Sequence, residues 1–314
     1  MPAFAISVLI LGCEEPFNPN APFREELVIY SILSDISDVQ YLRAYRTYDA
    51  PSFDPFEHLT DNGISGATVT ATLEQSQVQF RDTLITRKDT SRYQTPIVAY
   101  VADPFSIQRG KTYTLDILTS DGRFASTSVT VPGQASINVT NPSSVQQPSP
   151  SIEKFIVVRA FVPATAEGFL IRFFVNYEAF INGSWTPRRG EIPYLVMLRG
   201  EEQTEVFLYP ILSRVPDPIG GLSTIVFLFS TDAYQTMVGR LRAQAGGPVQ
   251  FNSAVFLLTS VEQNLYRYYN IVNGFQDPHS IRLDEPDFTN FSNAAGVFGA
   301  FVQDSVSISL PIGF

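Results

Sequence analysis

Cys13 is the only cysteine in 314 residues, and it directly follows an almost wholly apolar run, residues 2–12. A single thiol forms no internal disulfide and leaves no CxxC pair for zinc or redox chemistry. It can, however, take an acyl group. Ile10-Leu11-Gly12-Cys13 has the form of a bacterial lipobox, in which a branched apolar residue and a small residue precede the cysteine to be acylated. The run is shorter than the roughly 20 residues needed to span a bilayer, and it suits the apolar core of a signal peptide. A signal peptide opens on Lys or Arg, yet the first basic residue here is Arg24, so the expected start lies upstream of Met1. The competing reading is a buried N-terminal strand with an incidental thiol.

Two other clusters have residue types that could do chemistry. Asp277, Asp284, Glu285 and Asp287 surround His279 in one short stretch. Carboxylates this dense could hold Ca²⁺ through oxygen ligands, whereas hydrolytic zinc would want more nitrogen than a chain with two histidines offers. A solvated acidic loop broken by Pro278 and Pro286 explains them as well. Trp185, the only tryptophan, stands close to Arg188 and Arg189 behind the turn signal Asn182-Gly183. An indole beside guanidinium groups could stack on a sugar and bind its acidic substituents, although a Trp in such a place also serves to cover the end of a core. None of the compact signatures GxSxG, HExxH, GxxxxGK[ST] or GxGxxG occurs, so the expectation is a protein that is not an enzyme, with no cofactor.

The elements that must position these residues are mostly strands. Phe (25) and Tyr (14) are used heavily and charged residues make up only 17%, a composition that suits half-buried pleated sheet rather than disorder. The net charge of −10 opposes phosphate backbones, so no nucleic-acid partner is expected. Leu27 to Leu33, Val39 to Arg46, and the alternating Gly66 to Leu73 predict strands, and Asp121-Gly122 predicts a hairpin turn between Thr112–Leu118 and Phe124–Val131. Residues 26–134 are thus expected to form an N-terminal Ig-like or transthyretin-like β-sandwich. Residues 1–13 would be signal peptide and lipobox, 14–25 a tether, and 135–152, rich in Pro, Ser, Gln and Asn, a linker in which Ile137 and Val139 could still add an edge strand. Residues 153–314 would be a larger β-sandwich-like domain with one or two short helices, and the whole fold mainly β. One helix is expected to start at Ser260 with a capping box to Gln263, placing Leu265, Tyr269 and Val272 inside and Glu262 and Arg267 in solvent. Tyr266 would then be partly exposed and a contact candidate. A second helix is expected over Tyr234 to Ala245.

The order of several short motifs carries a family resemblance. Gly66-Ala67-Thr68-Val69 is followed by Gly110-Lys111-Thr112-Tyr113-Thr114-Leu115, then by Asp121-Gly122-Arg123, Val131-Pro132 and Ser260 to Tyr269. The series ends on Asn290-Phe291-Ser292-Asn293-Ala294-Ala295-Gly296-Val297-Phe298-Gly299-Ala300. Together they resemble the Bacteroidetes lipoprotein family known as domain of unknown function 4249, whose members close on a similar segment with glycine where Ala294 stands. The resemblance implies an outer-membrane lipoprotein, often encoded beside TonB-dependent receptors, and implies no known activity. Glu14 and Glu15 after the cysteine resemble, in such lipoproteins, a signal for display on the outer face, with the periplasmic face as the alternative.

The functional expectation is therefore a lipid-anchored envelope protein that serves as an accessory binding component of an outer-membrane uptake system. Its partners would be the membrane, through the acyl anchor, and a TonB-dependent receptor or other outer-membrane protein. A structural or adhesive surface protein is the alternative, and a hydrolase the third reading.

Overall fold

The computed structural model describes residues 23–49, 61–91, 93, 95–200, 204–217, 222–273 and 288–314. In chain order its strands begin with β1 (Leu27–Ser34), β2 (Gln40–Arg46), β3 (Thr68–Leu73), β4 (Ser76–Ile85), β5 (Ile97–Ala102), β6 (Thr112–Leu118), β7 (Phe124–Thr130) and β8 (Ser136–Val139). The short helix α1 (Ser143–Gln146) precedes β9 (Phe155–Pro163), β10 (Gly168–Ile181), β11 (Ser184–Ile192), β12 (Leu195–Arg199), β13 (Thr204–Leu208), β14 (Ser213–Arg214) and β15 (Leu222–Ser230). Helix α2 (Thr231–Gln244), β16 (Val249–Val261), α3 (Gln263–Asn273) and β17 (Ala295–Ser309) complete the chain. The protein is mainly β.

One twelve-stranded sheet runs through the molecule in the order β11-β10-β16-β17-β1-β2-β5-β4-β3-β6-β7, with β14 attached to β10. Strand β4 folds it into layers. Its first half pairs with β3 and its second half with β5, so β3, β6 and β7 turn back over β1 and β2. Alternation does the rest: Val69 and Ala71, Leu115 and Ile117, Leu27 and Ile29 all point into one core. The sequence patterns for β1, β2, β3 and the β6–β7 hairpin are met, and Gly122 at φ +86° supplies the turn that joins the last pair.

The second core lies between the β10–β16–β17 part of that sheet and a separate sheet, β15-β9-β8, with α2 closing one side. Phe173 sits at its centre, stacked on Phe256 at 4.2 Å and edge-on to Phe229 at 5.4 Å. Helix α2 follows β15 without a loop, its N-cap Ser230 accepting a bond from the Ala233 amide. Its Tyr234 ring is wholly buried and the hydroxyl donates to the Val145 carbonyl.

The segment 135–152 is built into this second core. Ser136–Val139 pairs with β9, and Ala135, Val139 and Val145 are buried there. The few apolar residues in this stretch decide its structure, with Ser144 buried beside Val145 and Pro142 and Ser143 exposed before them. Nor do the two cores divide at one point of the chain. Strand β17 pairs parallel with β1 through its first half and antiparallel with β16 through its second. Phe298, Ala300 and Val302 fill the first core, while Val306 and Ile308 pack on the second. Where it passes between them, Asp304 accepts from Arg109 Nη1 at 2.6 Å and from the Ala135 amide at 3.1 Å. Arg109 also binds Asp35, whose second oxygen accepts the Gln303 amide at 3.0 Å. An arginine held between two carboxylates thus ties both cores and the connecting segment to one strand.

Candidate functional site

Because β10, β16, β17, β1 and β2 lie side by side, residues that face away from the two cores share one long outer surface. It has two distinct patches. The first is covered by α3, which crosses β17 where Val297 and Gly299 point outward yet are buried. Glycine is required there: a Cβ at Gly299 would stand 2.7 Å from Leu265 Cβ and 3.2 Å from Glu262 Oε1. A few residues earlier, Gly296 has φ +107°, and a Cβ there would fall 2.0 Å from the Ile29 carbonyl oxygen of the neighbouring strand. The Asn290 side chain acts as a short pairing partner before it, donating to the Phe298 carbonyl at 2.8 Å and accepting the Phe298 amide at 3.0 Å. The turn between them uses Asn293 at φ +60°. Ala294 lies outside the left-handed region, so the residue that departs from the related glycine carries no backbone strain.

The helix start differs from the expected one. Ser260 lies inside β16, which stays paired with β10 and β17 through Val261, and its buried hydroxyl has no partner. The cap is Glu262. Its carboxylate accepts the amides of Asn264 and Leu265, both at 2.7 Å, and only 3% of the residue is exposed. Burial pushes this carboxyl up to about 7, against the amides of Asn264, Leu265 and Ala300, which favour the charged form. Glu262 is therefore inside rather than in solvent, and Tyr269, expected inside, is exposed. Leu265 is half-buried and Arg267 exposed, while the side chain of Val272 lies outside the described residues.

Beside α3 opens a groove of about 1120 Å³, lined among others by Tyr30, Tyr45, Tyr268, Phe124 and Phe291. Tyr30 stacks on Tyr45 at 6.0 Å and meets the edge of Tyr268 at 5.7 Å. Burial and a hydrogen bond to Tyr30 raise the Tyr268 hydroxyl well above its ordinary range, which keeps it a neutral hydrogen-bonding group. At the rim, Glu25 accepts from Arg123 at 2.6 Å and from Arg46 at 3.3 Å.

The second patch is open. Strands β10 and β11 form a hairpin turned by Asn182 and Gly183, both at positive φ, the geometry of a tight two-residue connection. Phe180 lies opposite Trp185 and Asn176 opposite Arg189. Trp185 is 46% exposed and leans edge-on against Phe180 at 5.4 Å. Phe174 faces outward with them yet is buried, because Arg172 and Arg189 cover it with their guanidinium carbons 4.7 and 5.1 Å from its ring centre. Arg172 is neutralised by Glu191, through a 2.8 Å bond from Nε and a second, shorter one. Arg189 instead donates to the Asn176 amide oxygen at 2.8 Å, and Asn176 donates in turn to Ser253 at 3.1 Å.

Among the sequence candidates, Trp185 and Arg189 come together on this patch. Arg188 projects from the other face of β11, opposite Tyr177. Tyr266 lies on α3 and packs against Gly168, where a Cβ would stand 2.3 Å from its ring. Cys13 and the group Asp277, Asp284, Glu285 and Asp287, with His279, lie outside the described residues. Among the described residues no group of three or more His, Cys, Asp or Glu side chains comes together as a metal site, and no helix is long and apolar enough to cross a membrane. Sequence reasoning missed Phe174, Arg172 and Asn176. The pattern Arg-x-Phe-x-Asn was available as one face of a strand, but only pairing with β11 shows which basic residue joins it.

The chain belongs to the family described as domain of unknown function DUF4249, whose model matches residues 14–307. Comparison with curated proteins found no match.

Proposed function

We propose that this protein is a lipid-anchored accessory binding component of an outer-membrane uptake system. The observation that carries the reading is the continuity between Cys13 and β1. The apolar run and cysteine lead through an acidic stretch, Glu14 to Glu25, into a strand paired on both sides near the middle of the twelve-stranded sheet. A tether joined to so central a strand holds the whole fold at the membrane while leaving the open β10–β11 patch free. Two acyl chains suffice for stable membrane residence.

Fractionation tests this directly. Wild-type protein is expected with the outer membrane after carbonate washing, and Cys13→Ala in the soluble fraction or as uncleaved precursor. Affinity purification from detergent-solubilised outer membrane is expected to bring down a transport receptor. If the variant still pellets with membrane, the anchor is wrong; if no outer-membrane protein co-purifies, the accessory role is.

A structural or adhesive role is favoured by a different feature. Strand β15 ends its three-stranded sheet, and Leu222, Val226 and Leu228 on its outer face are each about half exposed. An apolar edge strand of this kind is a template for pairing with another chain.

A further inference from the structure

Arg189 is a guanidinium with no carboxylate partner among the described residues, in a chain of net charge −10. Its geometry is fixed before any ligand arrives. Its guanidinium carbon lies over the Phe174 ring, Asn176 takes one of its donors, and Ser253 accepts from Asn176. Its neighbour Arg172 performs the same stacking but is neutralised by Glu191. The remaining donors of Arg189 form the planar fork that matches a carboxylate or sulfate.

Trp185 stands four residues along the same strand on the same face, roughly 13 Å away by strand rise. Its indole is half exposed and steadied by Phe180. On the other side of Arg189 the surface continues as hydroxyls: Ser253 of β16 lies opposite Ser309, and Val255 opposite Ser307, both serines of β17 exposed. An aromatic plane, a pre-set guanidinium and neighbouring hydroxyls on one sheet face, with Glu178 opposite Pro187 between the first two, match a particular chemistry. Sugar rings stack on aromatic planes, and their acidic substituents take a guanidinium fork.

We propose that the outer face of β10 and β11 binds an acidic oligosaccharide, with Trp185 stacking on one sugar ring and Arg189 pairing with the carboxylate of another. This deepens the binding role proposed above and rests on it. The separation of the two groups requires a chain of several sugars, since a single ring cannot reach both. An acidic peptide is the competing occupant. It would satisfy Arg189 but has no need of the indole, and it would dock by backbone pairing at the β11 edge rather than on the paired face.

Trp185 is the chain's only tryptophan among 14 tyrosines, so indole emission excited at the red edge, where tyrosine does not absorb, reports on this site alone. Oligogalacturonate titrated into the purified full chain is expected to change the emission saturably. Galacturonic acid monomer and fully methyl-esterified oligogalacturonate are expected to bind at least about tenfold more weakly, the worth of one charge-assisted contact. By calorimetry, Arg189→Gln and Trp185→Ala should each weaken binding about tenfold or more, while Arg188→Gln, on the opposite face, should leave it unchanged. No saturable signal overturns the proposal. So does equal binding of the methyl ester, equal binding of polyaspartate with retention in Trp185→Ala, or equal loss in Arg188→Gln. Failure of these titrations alongside intact membrane fractionation and receptor co-purification would reject the glycan site alone. Failure of fractionation with a positive titration would reject the anchored role alone.

Discussion

The covered and open patches occupy one sheet face but solve opposite problems. At α3 the strand gives up side chains at two points: Gly296 lets β1 approach β17, Gly299 lets the helix approach it, and Glu262 is sealed in as the cap. On β10 and β11 every outward position from Phe174 to Phe180 carries a large or polar group, and guanidinium stacking rather than a helix covers the one buried ring. What admits the chain's own helix to one surface is the absence of a Cβ at Gly299; the open surface has no such gap. The signature glycines of the C-terminal segment therefore belong to architecture, and the exposed Trp185 hairpin is the better candidate for recognition.

That contrast can be broken most severely at Gly296. An alanine there would have to hold φ +107° with its Cβ on the Ile29 carbonyl, so the parallel β1–β17 pairing must part. Because β17 serves both cores, Gly296→Ala is expected to cost about 4 kcal/mol or more in chemical denaturation. A loss under 1 kcal/mol would mean that the segment relaxes and the glycine is not structural.

The next effect is one of pH. The Glu262 carboxyl stands at about 7 in the folded protein against an ordinary 4.5, so the native state binds its proton more tightly than the unfolded chain. That contribution is fully present below about pH 4.5 and is lost as pH rises through 7. It amounts to about 3 kcal/mol. Glu262→Gln keeps an oxygen for the helix amides and removes the charge. Stability of the variant should be flatter between pH 5 and 8 than that of wild type, and parallel curves would remove Glu262 from the account. Gly299→Ala should follow at about 1–3 kcal/mol, as Leu265 is forced off β17, with loss of helical signal ahead of the main transition.

Much of the first core was legible because its strands alternate and the β6–β7 turn carries Asp121-Gly122, as the β10–β11 hairpin was from Asn182-Gly183. Helix α2 was legible from the stretch after Tyr234. The start of α3 was not, since a capping box is a local pattern while the true boundary is set by β16 pairing on both sides up to Val261. Composition misplaced the segment 135–152 for a related reason: Ala135, Val139 and Val145 are few, yet a core formed by distant strands needs them. Likewise, β17 is one strand only through its partners β1 and β16. At the open patch Trp185 and Arg189 could be read from residue type, whereas excluding Arg188 required the register.

The smallest expected effect falls on that open patch. Trp185 makes one edge-on contact with Phe180 and leaves nearly half its surface in water, so its removal empties no core. The hairpin keeps its nine paired positions and its Asn182-Gly183 turn. Trp185→Ala should therefore cost about 1 kcal/mol or less, far below the glycine substitutions under α3. A surface kept for binding sacrifices little stability when its key residue is lost, which is why the comparison is most informative at its weakest end. If Trp185→Ala instead destabilises as strongly as Gly299→Ala, the indole is part of the second core's closure, and its exposure carries no message about a ligand. Denaturation monitored by far-ultraviolet circular dichroism, which needs no tryptophan signal, makes the comparison on equal terms.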